Sequence, residues 1–234
     1  MAEYSVAVPT RGSPADAGTV SGSPVVPVKS LLVCGILSSL LYAGMNIFIP
    51  LAWDGYNSAS RVVSELSAIG APTRSLWVPF GFVWAVLVAA FGLGVWMSAE
   101  RNRPLRVVGL VLLAYGLFNF VPWPPMHQRE VLAAGGATLT DTLHLVWSFV
   151  AVSFMMVAMA FGAAAFGKRF RLYSITTIVI LMTLGVLTGR DAPRIQANLP
   201  TPLVGVWERI SIGVFLLWVV VLALAVWRRP GVKA

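Results

Sequence analysis

Three side chains capable of chemistry stand at helical spacing near position 140. Asp141, His144 and Ser148 follow one another at intervals of three and four residues, so on a helix they form a single stripe. A carboxylate and an imidazole in this arrangement can hold a metal ion or form an acid/base pair. Asp141 could equally cap a helix N-terminus, with His144 as a hydrogen-bonded interface residue. The catalytic residues are not established by the sequence, but His144 and Asp141, together with His127, are the candidates, and the structural alternative is left open.

The second histidine of the chain, His127, ends a Pro-Pro-Met-His run. Two prolines restrict the backbone before it, which fixes the direction of the side chain. A zinc ion would need His127, His144 and Asp141 together, with Asp191 or Glu65 as a further ligand. The chain has one cysteine, which excludes a cysteine-based zinc site. Zinc is thus the cofactor that these residues could hold, and the sequence establishes none.

Six arginines share the polar connections with these residues: Arg61, Arg74, Arg129, Arg190, Arg194 and Arg209. Arginine forks beside helix N-termini suit a phosphate or carboxylate group. The predicted ligand-binding residues are Arg190, Asp191, Arg209, Glu65 and Arg61. Alternatively, six acids in the same connections neutralise the arginines in structural pairs, such as Arg61 with Glu65 at i, i+4. We expect this for at least half of them.

The elements that position these residues are apolar spans. Hydrophobic residues make up 58% of the 234 residues and charged residues 11%, with a mean hydropathy of +0.81, which excludes an ordinary soluble domain. A helix crosses a bilayer with about 20 apolar residues. The sequence therefore predicts an all-α fold, a six-helix transmembrane bundle. The spans are 31–53, 76–97, 105–121, 142–166, 172–188 and 207–227, of which the third and fifth are short.

Charge distribution predicts the orientation of the bundle. One set of connections and both tails carry eleven Lys/Arg against three acids, whereas the other set carries six arginines against six acids and both histidines. By the positive-inside rule the first set is cytoplasmic and the histidines are extracytoplasmic. We expect a multi-pass plasma-membrane protein with both termini in the cytoplasm. The basic clusters adjoin spans, so membrane lipids rather than nucleic acid are the expected partners; the oligomeric state is left open.

The predicted organisation is one membrane domain between two tails. Residues 1–28 are rich in Pro, Gly, Ser and Ala and are predicted to be a disordered cytoplasmic tail. The membrane domain covers 29–229, and 230–234 form a second cytoplasmic tail. In the first outer connection, Val62, Leu66 and Ile69 repeat at helical spacing. They predict a short amphipathic helix that ends near Gly70 and Pro72.

Several short motifs carry a family resemblance. They are Ser-Glu-Leu-Ser-Ala-Ile-Gly-Ala-Pro at 64–72, Pro-Met-His at 125–127, Thr140-Asp141 with His144, and Trp-Glu-Arg-Ile at 207–210. Together they resemble the bacterial and archaeal membrane proteins of the domain of unknown function 998 (DUF998), over roughly 31–227. The resemblance implies six or seven membrane spans and no established activity.

A weaker likeness, carried by Asp141, His144 and His127, is to the membrane-embedded metal hydrolases that include alkaline ceramidases. It implies a zinc site inside a helix bundle. That superfamily also has a His-x-x-x-His on its last helix, and this chain has no histidine after His144.

Three functions follow as hypotheses. The first is recognition of a lipid head group or small anionic ligand at the extracytoplasmic site. The alternative is a metal-dependent or His/Asp-dependent hydrolase of membrane lipids, and the second alternative is a small permease. Whether the protein is an enzyme is left open.

Overall fold

The computed structural model describes residues 27–229. Both predicted tails, 1–28 and 230–234, lie outside that range apart from positions 27 and 28. The helices are α1 (Val28–Phe48), α2 (Arg74–Met97), α3 (Arg103–Phe120), α4 (Arg129–Ala133), α5 (Leu139–Ala165), α6 (Lys168–Arg190), α7 (Ala192–Gln196) and α8 (Val204–Trp227), with two 3-10 helices at Ile49–Ala52 and Val63–Ser67. No strand occurs within the described range; Ile69 and His127 form an isolated bridge.

Six of these helices are long and apolar enough to cross a membrane, which confirms the predicted all-α bundle. All six begin two to four residues before the predicted apolar spans do. Helix α3 begins at Arg103 and helix α6 at Lys168, ahead of the predicted starts at 105 and 172. Lysine and arginine are good helix formers, and their long side chains can reach polar surroundings from a helix end. Apolarity therefore underestimates the length of such helices.

The six long helices close into a ring. Each packs against the next long helix in the chain, and α8 packs back against α1. The core between them is apolar, with Leu32, Phe91, Leu105 and Trp218 inaccessible to solvent. Helices α2, α5 and α8 begin at one end of the ring, which we call the histidine end because it carries both histidines. The other is the basic end.

The closest helix crossing is between α2 and α3, and it depends on glycine. A Cβ atom on Gly92 would lie 2.2 Å from the backbone nitrogen of Leu113. A Cβ on Gly116 would lie 2.4 Å from the backbone nitrogen of Ala89. Backbones that approach this closely leave no room for a side chain. The crossing fixes the positions of α2 and α3, whose ends frame the loops described below.

The first connection at the histidine end folds inward over the bundle. Its short helix is a five-residue 3-10 helix, Val63–Ser67. It buries Val63 and Leu66 against α1 and α2, and the chain then turns through Gly70 at φ +79. The segment therefore covers the end of the ring, where it positions Glu65 over the bundle.

Candidate functional site

His127 and Asp141 form a direct pair at the histidine end. The ring Nδ1 of His127 lies 2.9 Å from Asp141 Oδ2, and the backbone amide of His127 donates to Oδ1 at 2.7 Å. Asp141 Oδ2 also accepts the Thr138 amide at 2.8 Å, which closes a capping box at the start of α5. The carboxylate thus caps a helix and orients an imidazole. The capping role expected from the sequence is present, but the imidazole that Asp141 orients is that of His127 and not that of His144, with which the helical spacing paired it.

His144 is held by a different acceptor. Its Nδ1 lies 2.8 Å from the carbonyl oxygen of Pro124, and the side chain is buried. Ser148, the third residue of the stripe, donates to the His144 carbonyl at 2.9 Å. Both histidines therefore have Nδ1 against an oxygen acceptor. Such a contact selects the tautomer that leaves Nε2 with a lone pair, as in a general base or a metal ligand.

The side chains around the two histidines are less favourable for binding zinc than the histidines alone suggest. Asp141 accepts hydrogen bonds on both oxygens, and no group of three or more His, Cys, Asp or Glu side chains suited to a metal lies within residues 27–229. The structure shows the orientation of each imidazole, and zinc binding by His127, Asp141 and His144 stays a prediction.

A buried ion pair joins the first two connections. Arg129 Nε donates to Glu65 Oε1 at 2.8 Å and Arg129 Nη2 to Oε2 at 2.7 Å. Glu65 is inaccessible to solvent and Arg129 is 5% exposed. Arg129 Nη1 also donates to Thr201 Oγ1 at 3.2 Å, which brings in the third connection. A bidentate ion pair in a buried setting has a fixed geometry, so it holds the three connections at the histidine end together. We call these connections, residues 54–73, 121–138 and 191–203, the cap.

Arg61 extends this network to the surface. Its guanidinium reaches Glu65 at 3.2 Å and Glu130 at 2.8 Å, so the i, i+4 pairing expected from the sequence is present. Burial by itself would raise the pKa of Glu130, but the hydrogen bonds to its carboxylate and the charges of Arg61 and Arg129 lower that pKa below its ordinary value. Arg61 therefore neutralises the charges of Glu65 and Glu130 within the cap.

Arg209 and Glu208 connect α8 to the first loop without pairing with each other. Arg209 Nη1 donates to the carbonyls of Ser58 and Arg61 at 2.7 and 3.0 Å, and Nη2 donates to the Tyr56 hydroxyl at 2.8 Å. Glu208 Oε2 accepts the Val63 amide at 2.5 Å. Each side chain thus satisfies the backbone of a loop that could not otherwise be buried.

Arg190 and Asp191 lie at the junction of α6 and α7, and within residues 27–229 neither side chain forms a hydrogen bond or ion pair with the residues above. Arg190 is exposed, and Asp191 is partly exposed. Arg194 lies 4.0 Å from Asp191 and donates to the Pro200 carbonyl at 2.8 Å. With Arg61 and Arg129, this makes three of the six arginines that approach an acid within 4 Å, so half of them form structural pairs.

The structure therefore brings the predicted residues together in separate groups. His127 and Asp141 form one, Glu65 and Arg61 another, and Arg209 a third. Sequence reasoning missed the residues that complete them, namely Arg129 as the main partner of Glu65, Thr201, and Tyr56 beneath Arg209. Their separations along the chain carry no local signal.

An open groove of about 540 Å³ lies beside the start of α2. It is lined by Gly70, Ala71, Arg74, Ser75, Val78 and Pro79. Arg74 donates from Nη1 to the Ser67 carbonyl, which holds its guanidinium at the groove. The cation and the Ser75 hydroxyl stand at the helix start, and the apolar residues follow one turn deeper.

A comparison with protein families matches most of the helix bundle to one family. The family described as "Protein of unknown function (DUF998)" matches residues 36–225. The chain belongs to the DUF998 family. No curated protein matches it, and no solved structure matches it. In this DUF998 protein Glu208 and Arg209 bind the part of the first loop that directly precedes the segment 64–72, through the Val63 amide and the Ser58 and Arg61 carbonyls.

Proposed function

We propose that this DUF998 protein binds the head group of an anionic lipid at the histidine end, without chemistry of its own. The observation that carries the proposal is the groove at the start of α2. Arg74 and Ser75 supply a cation and a hydroxyl, and Val78 and Pro79 supply apolar walls. A lipid at a membrane edge presents the same order, a charged head above an apolar chain.

The α2 backbone adds to this complementarity. The amides of Arg74, Leu76 and Trp77 already donate to the Ala71 and Thr73 carbonyls. The Ser75 amide is therefore the backbone donor that the helix start directs toward an anion. Pro79 has no N–H, so the carbonyl of Ser75 lacks its usual donor four residues later. The groove thus offers donors for a phosphate and an acceptor for a hydroxyl or amine of the same head group.

The other arginines at the histidine end differ in whether their guanidinium groups are free to contact a ligand. Arg61 and Arg209 are engaged by Glu65, Glu130 and loop carbonyls, so they support the ligand by holding the cap. Arg190 is exposed and supplies a second contact to head groups at the same end. The orientation belongs to the proposal as well: the basic end faces the cytoplasm, which puts the groove at the outer leaflet of the plasma membrane.

The test is lipid retention by purified, delipidated protein. Wild type and Arg74→Gln are incubated with phosphatidylglycerol or phosphatidylcholine, and retained lipid is counted by native mass spectrometry. We expect Arg74→Gln to lose most of the phosphatidylglycerol, whereas Arg101→Gln, an exposed arginine at the basic end, retains it. If Arg74→Gln and the Arg74→Gln/Arg190→Gln double variant both retain lipid as wild type does, the proposal fails.

A second candidate is a His/Asp-dependent hydrolase of membrane lipids, favoured by the pairing of His127 with Asp141. A carboxylate on Nδ1 leaves Nε2 of the ring as a base toward water or as a zinc ligand. The side chains of His127 and Asp141 are 18% and 13% exposed, so water can reach the pair.

This candidate has its own test. Zinc is measured by elemental analysis of wild type and His144→Ala, and lipid cleavage by mass spectrometry of wild type and His127→Gln. Stoichiometric zinc that His144→Ala loses, or cleavage that His127→Gln loses, supports the hydrolase. Neither zinc nor cleavage in wild type leaves lipid binding as the better proposal.

A further inference from the structure

The histidine-end half of the bundle contains buried polar atoms that the protein does not satisfy. Within residues 27–229, four such atoms lie there without a hydrogen-bond partner: Asn46 Oδ1, Trp84 Nε1, Arg209 Nε and Ser211 Oγ. An unpaired buried polar group costs about 1–3 kcal/mol, and such groups in native proteins usually bind water or a ligand. This set is separate from the Arg74 groove and from the histidine pair.

The register of α1 and α8 places two of these atoms at the same depth. Ser39 Oγ donates to the Leu216 carbonyl at 3.1 Å, and the two helices run in opposite directions. Asn46 lies seven residues beyond Ser39 toward the histidine end, and Ser211 lies five residues from Leu216 in the same direction. At 1.5 Å per residue, both are about 8–10 Å above that contact.

Helix faces direct the same atoms into the bundle. Ser211 is one turn from Phe215, which is 2% exposed and packs 6.1 Å from the Tyr115 ring. Asn46 is one turn from Tyr42, whose ring lies 5.1 Å from that of Trp84. Asn46 Nδ2 donates to the Tyr42 carbonyl at 3.0 Å, so Oδ1 is the atom left to face the interior.

The polar atoms define what could bind among them. Trp84 Nε1 is a donor, Asn46 Oδ1 is an acceptor, and Ser211 Oγ can act as either. Arg209 lies two residues from Ser211, on the opposite side of α8, and its guanidinium belongs to the cap. Glu208, one turn from Ser211, is already engaged by the Val63 amide. A neutral guest that both donates and accepts hydrogen bonds matches this set, and an ion does not.

We propose that this cluster is an internal binding site for a small neutral hydroxyl- or amide-bearing molecule, of which water is the smallest. Aromatic rings limit its size, because Tyr42 lies 5.7 Å from Trp77 and 5.1 Å from Trp84 between ring centroids. The cap closes the site from above, with Glu208 on the Val63 amide and Arg209 on the Ser58 carbonyl. Entry therefore requires the cap to open.

A double-mutant cycle tests for a shared guest. Asn46→Leu, Ser211→Ala and the double variant are compared with wild type by thermal unfolding in detergent. If one guest binds both side chains, each single variant lowers the Tm and the double variant loses clearly less than the two shifts added together. If the atoms are merely unpaired, apolar replacements leave the Tm unchanged or raise it, and the shifts add. That result would overturn the proposal.

The chain offers a matched control in Asn119. Asn119 Nδ2 donates to the Tyr115 carbonyl at 2.9 Å, one turn back, as Asn46 does to Tyr42. Its Oδ1 is not among the unsatisfied buried atoms of the described range. Asn119→Leu combined with Ser211→Ala should therefore give additive shifts. Coupling as large as that with Asn46→Leu would contradict a local guest.

Two readouts distinguish water from a solute. Millisecond X-ray radiolysis oxidises side chains beside bound internal water, so it should label Tyr42 and Trp84 in wild type and less in Asn46→Leu. Native mass spectrometry would instead show a small adduct that Asn46→Leu loses. Wild-type protein with neither the labelling nor an adduct would show that the site is empty and that the proposal is wrong.

Discussion

The carboxylate of Asp141 accepts the ring Nδ1 of His127 at 2.9 Å and its backbone amide at 2.7 Å. The same carboxylate accepts the Thr138 amide at 2.8 Å. One side chain therefore fixes both the start of α5 and the loop that precedes α4. The second connection is attached to the bundle chiefly at this point and at His144, whose Nδ1 meets the Pro124 carbonyl.

Removing that carboxylate should loosen both elements. Asp141→Ala removes the acceptor of the Thr138 amide in the capping box of α5, a loss comparable to that of a helix cap at about 0.5–2 kcal/mol, together with the contacts to His127. Ser153→Ala on the same helix is the control, because Ser153 is partly exposed and bonds only within its own helix; its effect should stay within about 0.5 kcal/mol. Stability is measured by denaturant titration in micelles. Equal effects of the two substitutions would contradict the assigned role.

Replacing one member of the Glu65–Arg129 pair should lower the free energy of unfolding more than replacing both members together. Arg129→Met leaves Glu65 buried without its main partner, and removing one member of a buried pair costs about 3–5 kcal/mol. The Glu65→Leu/Arg129→Met double variant should recover part of that loss. Glu130→Gln is the comparison: its side chain is 49% exposed, so about 1 kcal/mol or less is expected. A double variant less stable than Arg129→Met would argue against this account.

Tyr56 should make the cap sensitive to high pH. Burial raises the pKa of Tyr56 to about 12, although Arg209 acts to lower it. Because the pKa is raised above its ordinary value near about 10, the stability contributed by the neutral hydroxyl is complete below pH 10. It is lost as the pH rises through 12. Absorbance at 295 nm, wild type minus Tyr56→Phe, should show a transition near pH 12; one near pH 10 would mean that the hydroxyl is not buried.

Glycines in the long helices should differ sharply in tolerance. Gly92→Ala forces α2 away from α3, since its Cβ would lie 2.2 Å from backbone. A Cβ on Gly185 meets no atom within 4 Å, so Gly185→Ala should stabilise helix α6 by up to about 1 kcal/mol. Thermal unfolding of the two variants in the same detergent checks the contrast, and a Gly92→Ala protein as stable as wild type would exclude the close crossing.

Orientation is open to direct labelling. In a Cys34→Ser background, Arg101→Cys places a thiol at the basic end and Ala137→Cys places one at the histidine end, and both positions are exposed. A membrane-impermeant maleimide added to intact cells should label position 137 and not position 101. Labelling of 101 alone would reverse the orientation, and with it the leaflet proposed for the lipid.

The amino-acid sequence by itself determined the number of long helices and the end at which the reactive residues collect. Hydropathy and charge are local quantities that each span carries within its own residues, so the six apolar spans could be predicted one by one. Every helix start was predicted two to four residues too late, as at Arg103 and Lys168, where basic residues extend the helices past their apolar parts. The Arg61–Glu65 pair could be predicted as well, because four residues suffice to define it.

Only the tertiary structure decided which polar groups meet. Glu65 and Arg129 lie 64 residues apart, and Arg209 reaches the Ser58 carbonyl across 151 residues. No local pattern selects such partners; burial does, because a charge removed from water must find a counter-charge or a backbone dipole wherever packing brings one. The same packing turned Asp141 toward His127 and His144 toward the Pro124 carbonyl. The sequence showed where these residues gather, and their contacts required the closed ring of helices.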